Sequence, residues 1–189
     1  TGLTGASALK EGFMTGEILL TLDSDDEGYI FIGFAGGMDS VGEFHYEEVA
    51  VPDGYFFFKV GVSGLKGGHS GGDIHLGRGN ANKILNRYLS LIAAKYDMYL
   101  CEINGGNLRN AIPREAYAIC AIPYSDKESV RVDLNIFIAD IENELAGIEP
   151  DLKLTLESEQ ASKTAIDKDT TKRLLKTLYA LHHGVYAMS

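Results

Sequence analysis

The stretch 54–96, GYFFFKVGVSGLKGGHSGGDIHLGRGNANKILNRYLSLIAAKY, decides the fold. Residues 54–64 alternate enough to be a strand. Eight glycines then stand between Gly61 and Gly79, too many for any regular element, so this segment is a loop with special backbone geometry. Residues 80–96 carry Ile84, Leu85, Tyr88, Leu89 and Ile92 at spacings of three and four, the signature of an amphipathic helix. Strand, glycine loop and helix in that order form the first half of a split βαβ unit.

The second half lies downstream. MYLCEING (98–105) reads as a strand, Gly-Gly-Asn as a turn, and EAYAICAIP (115–123) as the next strand. Ser125 with Glu128 three residues on forms a capping-box pattern. It opens a helix expected over 126–146, with Val130, Leu134, Phe137, Ile138, Ile141 and Leu145 on one face. DLKLTLES (151–158) alternates leucine with polar residues as a half-exposed strand, and 169–181 reads as a last helix. The order β-α-β-β-α-β predicts an α+β, ferredoxin-like domain: a four-stranded antiparallel sheet with two helices on one face.

Upstream, EILLTLD (17–23) and YIFIGF (29–34) flank an acidic turn and have the texture of buried strands. The turn, Asp23-Ser24-Asp25-Asp26-Glu27-Gly28, imitates the opening of a calcium loop. The twelfth position of such a loop must be a bidentate carboxylate, and here it is Phe34, so a solvated turn is the better reading of Asp25, Asp26 and Glu27. Asp23 stands apart at the carboxyl end of an apolar run, where open α/β sheets place ligands; turn former and ligand remain equally open readings.

Composition removes several classes of function. The chain has 189 residues with 45 % hydrophobic and 23 % charged, enough for a packed core. A net charge of −10 argues against wrapping a phosphate backbone, so no nucleic-acid partner is expected. No apolar run approaches a membrane span and no secretory leader is visible in TGLTGASALKEGFMTGE. Two cysteines, Cys101 and Cys120, are too few for a disulfide framework and fit a reducing, cytoplasmic setting as buried thiols. The first residue is Thr1, and the chain is expected to be a piece of something larger.

Three segments carry potential chemistry. In GLKGGHSGG (64–72) the glycines offer either a cradle of N–H groups for phosphate or an unobstructed approach to His69. The cradle is the weaker reading, because neither G-x-x-x-x-G-K-[ST] nor G-x-G-x-x-G is in register. A histidine with glycines on both sides has few neighbours to bury it and can polarise a carbonyl or donate to an oxyanion. NGGNLRNAIP (104–113), standing alone, is a polar hairpin between strands. His45, His75, His182 and His183 lack ligand spacing and are assigned surface or packing roles.

LTLDSDDEG, YIFIG, AGG, then GLKGGHSGGDIHLGRGNANK and NGGNLRNAIPREA together resemble the bacterial aminoacyl-histidine dipeptidase (Xaa-His dipeptidase, carnosinase-like) family. That family lies within the zinc metallopeptidase superfamily of acetylornithine deacetylase, succinyl-diaminopimelate desuccinylase and carboxypeptidase G. The resemblance implies an inserted lid, or dimerisation, domain over 43–189, preceded by a fragment of the zinc catalytic domain over 1–42. It implies a homodimer through the lid, a dipeptide substrate, two zinc ions in the parent enzyme, and no membrane partner. By the same resemblance Asp23 matches a metal ligand, His69 the lid histidine that stabilises the tetrahedral oxyanion, and Asn110 a substrate-contacting asparagine. Arg109 and Arg114 are within the matched segment and could touch a substrate carboxylate, but the resemblance assigns neither of them that role. The family's general-base glutamate and its remaining metal ligands have no counterpart here, so the isolated chain is expected to be inactive. The rival reading is a non-catalytic α+β dimerisation or small-ligand-binding module.

Overall fold

A computed structural model of the protein describes residues 4–20, 27–33, 36–161 and 164–187. The chain divides into two units between residues 41 and 42. The first contains one short helix, α1 (Thr4–Ser7), and no strand among its described residues. This corrects the expectation of buried strands at 17–23 and 29–34: among the described residues of those runs, Ile18, Leu19, Leu20, Ile30 and Ile32 are all exposed. A strand is stable only when its backbone is laddered and one face is covered, and nothing among the described residues of this unit does either.

The second unit is built on a six-stranded antiparallel sheet. Its strands are β1 (Glu48–Ala50), β2 (Tyr55–Ser63), β4 (Tyr99–Gly105), β6 (Ala116–Pro123), β7 (Lys153–Ser158) and β8 (Thr164–Ile166), in the order β1-β8-β4-β6-β2-β7. Strands β3 (Gly68–His69) and β5 (Ala111–Ile112) form a separate two-stranded ladder. The central order β4-β6-β2-β7 is the ferredoxin-like arrangement expected of the four longer strands. Two three-residue strands, β1 and β8, widen it to six, a correction to the four-stranded expectation.

Strand β2 shows how one face is chosen. Phe56, Phe58, Val60 and Val62 point into the core, while Tyr55, Phe57, Lys59, Gly61 and Ser63 lie on the opposite, half-buried face. Helix α2 (Ala81–Lys95) lays Ile84, Leu85, Tyr88, Leu89 and Ile92 against that core face. Helix α3 (Lys127–Glu144) adds Val130, Leu134, Phe137 and Ile141. Each such side chain contributes about 1.5–3 kcal/mol on burial. Tyr88 keeps its hydroxyl satisfied by donating to the Val130 carbonyl at 2.9 Å, which joins the two helices.

The helix ends follow local rules, with one exception. Asn80 caps α2, its side chain accepting from the Lys83 N–H at 3.2 Å. The capping box read from Ser125 and Glu128 is not formed. Instead a 3₁₀ turn, Tyr124–Asp126, leads into α3, and the Lys127 N–H donates to the Tyr124 carbonyl. A third helix, α4 (Lys168–Ala180), packs on α2 with Leu175 in the core. Its C-terminus is tied down by Lys83, whose Nζ donates to the carbonyls of Leu178, Tyr179 and Leu181 at 2.9, 2.7 and 2.6 Å.

Candidate functional site

The site grows from the glycine loop. After β2 the chain turns at Gly64, whose φ of +78° brings it so close to Asp151 that a Cβ would sit 1.9 Å from that carbonyl oxygen. Only glycine is accommodated there. The chain then enters β3, where Gly68 pairs with Ile112 and His69 with Ala111. The Ser70 N–H donates to the Asn110 carbonyl at 3.0 Å. This small ladder brings His69 beside Asn110 across 41 residues of chain, and both are exposed.

The histidine ring is held by its own loop. Its Nδ1 accepts from the backbone N–H groups of Gly71 and Gly72, both at 3.0 Å. A nitrogen that accepts two N–H groups carries no proton, which in the neutral ring leaves the proton on Nε2. These bonds also overturn the phosphate-cradle reading, because the Gly71 and Gly72 donors are spent on the imidazole. The His69 N–H donates to Asp73 Oδ2 at 2.8 Å, and the Asp73 N–H returns to the His69 carbonyl at 3.0 Å. Arg78 completes the lock, donating to the Gly67 carbonyl at 2.6 Å and lying 3.4 Å from Asp73 Oδ2.

A cleft of about 860 Å³ opens beside this ladder, with Gly68, Ala111 and Ile112 in its wall. Its polar lining includes Lys59, Lys66, Arg114 and Glu115, three cations to one carboxylate, in a chain whose net charge is −10. Lys59 lies 4.2 Å above the Tyr117 ring, and Tyr117 donates its hydroxyl to Glu102 at 2.5 Å. Arg114 lies over Gly67, where a Cβ would approach its Cγ to 2.3 Å. The loop at 104–113 thus forms the turn expected of it and also delivers Asn110 to His69. A second cleft, about 590 Å³, lies between α2 and α4 and contains none of the candidate residues.

Asp23 and the acidic residues through Asp26 lie outside the described residues. No group of three or more His, Cys, Asp or Glu side chains able to hold a metal occurs among the described residues. Cys120 is fully buried, and burial pushes its thiol pKa up, which makes it unreactive. His45 and His75 are exposed. His183 has a definite role: its Nδ1 lies 3.1 Å from Asn80 Nδ2 and its Nε2 lies 3.3 Å from the Arg78 carbonyl, fastening the segment after α4 to the loop's exit.

One residue of the site escaped the sequence reading. Glu149, buried at 5 % exposure, accepts from the N–H groups of Lys66 and Gly79, both at 2.8 Å. It follows α3 in an unremarkable turn, and no local pattern signals its partners.

Residues 60–149 match the family model of the peptidase dimerisation domain. The chain is 41 % identical over 184 residues, 97 % of its length, to the cytosol non-specific dipeptidase of Escherichia coli (strain K12). It superposes on the crystal structure of aminoacylhistidine dipeptidase from Vibrio alginolyticus with a TM-score of 0.82 at 38 % identity, over 100 % of the chain. It spans 38 % of the length of each of these relatives. No helix among the described residues is long and apolar enough to cross a membrane.

Proposed function

We propose that the chain is the lid region of a dipeptidase and that His69 donates from Nε2–H to the scissile carbonyl oxygen as it becomes an oxyanion. The observation that carries this is the double N–H donation to Nδ1 of the exposed His69, which in the neutral ring commits the proton to Nε2. A donor preset in this way strengthens as charge develops on the substrate oxygen, so it acts mainly on the transition state. Asn110, alongside, contacts the substrate. The preferred substrates are dipeptides of the Xaa-His type, in keeping with the Vibrio relative, and the cationic lining of the adjoining cleft suits their carboxylates.

In this reading residues 1–42 belong to the catalytic domain, residues 43–189 are the lid, and the enzyme works in the cytoplasm. Zinc is the metal the resemblance implies, with Asp23 as one ligand. The described residues do not by themselves fit a zinc site, which takes three or four ligands. The assembly is a homodimer through the lid. The edge strands β1 and β7 of the sheet and the exposed Val132 and Ile136 on α3 are surfaces of the kind that pair symmetrically.

The test is His69→Ala in the full-length enzyme. Loss of one such donor lowers kcat by about 10²–10³ with KM little changed. A packing role would instead lower stability and leave turnover per folded molecule nearly intact. Retention of kcat within about threefold of wild type sinks the assignment.

A further inference from the structure

We propose that Glu149 is a positioning residue for this reaction: its buried carboxylate pins both ends of the glycine loop and thereby holds His69 in its working place. The proposal rests on the role given to His69 above. Glu149 Oε2 accepts from the Lys66 N–H and Oε1 from the Gly79 N–H, each at 2.8 Å, so one side chain closes the loop at its entry and its exit. The carboxylate arrives from a turn that is itself anchored to α3. The Glu149 N–H donates to the Leu145 carbonyl at 3.1 Å, and its own carbonyl accepts from the Leu152 N–H at 3.3 Å.

The surroundings leave little freedom. A Cβ at Gly79 would stand 2.9 Å from Leu65 Cδ2, 3.3 Å from Leu145 Cδ1 and 3.4 Å from Glu149 Cγ, so the loop's exit is seated among these side chains. Between the two anchors the side chains of Arg78, Asp73 and His69 bond within the loop, to the Gly67 carbonyl, the His69 N–H and the Gly71 and Gly72 N–H groups. The Ser70 N–H and the Arg78 carbonyl reach outward to Asn110 and His183. The loop is therefore braced within itself, and the β3–β5 ladder, the His183 contact and the Glu149 clasp set where it sits. A carboxylate is the group required, because it offers an acceptor oxygen to each of two N–H groups. A glutamine offers one acceptor and turns its NH₂ toward the other N–H.

Glu149→Gln in the full-length dipeptidase tests this, together with His69→Ala and the double variant, with kcat and KM measured per folded molecule. We expect Glu149→Gln to lower kcat by tenfold or more, toward the ~10²-fold that a misplacement of ~1 Å costs, with KM within about twofold. In the His69→Ala background the same change should cost kcat less than twofold, because nothing remains to be positioned. If Glu149→Gln retains kcat within twofold while His69→Ala loses its ~10²-fold, the clasp proposal is wrong and the role of His69 stands. An equal loss in both backgrounds also overturns the proposal, since it marks a general structural defect. If His69→Ala itself is nearly neutral, the reading of His69 fails and Glu149 falls with it. Should the glutamine variant not fold, Glu149→Asp, which keeps both acceptors on a shorter arm, carries the same comparison.

Discussion

YIFIG at 29–33 and FKVGV at 58–62 both read as strand in the sequence, yet they end in opposite environments. Val60 is fully buried, laddered to Ala118 on one side and Leu156 on the other. Ile32 is 100 % exposed and belongs to no strand. Apolar alternation therefore expresses what a segment can become, and the neighbours decide whether it does. In the second unit the neighbours are contributed by the same chain; among the described residues of the first, none covers the apolar runs. Under the proposed function the covering neighbours belong to the rest of a catalytic domain.

The largest expected consequence is catalytic. The purified chain, supplied with zinc, should give no hydrolysis of Xaa-His dipeptides above a blank. The described residues contain no cluster of three or more ligands able to hold a metal, and general-base catalysis needs a carboxylate within hydrogen-bond reach of the attacking water. Measurable zinc-dependent turnover by the 189-residue chain would overturn this expectation.

The next effect concerns stability. Leu89→Ala, at a fully buried position in α2, should cost about 2–5 kcal/mol in a denaturant titration. Ile32→Ala should fall within about 0.5 kcal/mol of wild type, as exposed positions do. A comparable cost at both sites would break the contrast by revealing a buried environment for Ile32. The same Ile32→Ala change made in the full-length enzyme sharpens it: there a cost of several kcal/mol is expected if the missing neighbours cover that run.

The same division between local pattern and distant partner explains what the sequence revealed. Helix α2 was legible because Ile84, Leu85, Tyr88, Leu89 and Ile92 repeat within one element, and β2 because its alternation spans nine residues. Strands β1 and β8 were not, since EVA and TAI are three residues each and form by pairing with strands distant in the chain, β1 with β8 and β8 with β4. The capping box failed for a local reason: Ser125 falls inside a 3₁₀ turn whose backbone bond already serves the start of α3. At the candidate site, His69 stood out through its flanking glycines, whereas Asn110 was reached by resemblance and joins it through a ladder of two residues per strand. Glu149 was invisible because its two partners lie 83 and 70 positions away. Contacts at that separation leave no periodic trace.

The smallest effect lies at residue 47, near the start of the region that folds on its own neighbours. The Glu47 N–H donates to Asp167 Oδ2 at 3.1 Å, and the Asp167 N–H returns to the Glu47 carbonyl at 3.0 Å. Asp167 also caps α4, its Oδ1 accepting from the Thr170 N–H at 2.8 Å. That Thr170 N–H holds the Asp167 carboxyl below the usual carboxylate range, assisted by the Glu47 N–H and by Arg173. A carboxylate whose pKa is lower folded than unfolded stabilises the fold fully above its unfolded pKa, ~3.9 for aspartate. The contribution is lost as pH falls through the lowered folded value. Asp167→Asn removes this titration and leaves one of the two N–H groups facing an NH₂. Its melting temperature should therefore sit slightly below wild type at neutral pH, with the gap narrowing in acid as wild type loses its carboxylate. Parallel melting curves with an unchanged gap from pH ~6 to pH ~2.5 would mean that this seam contributes nothing through its charge.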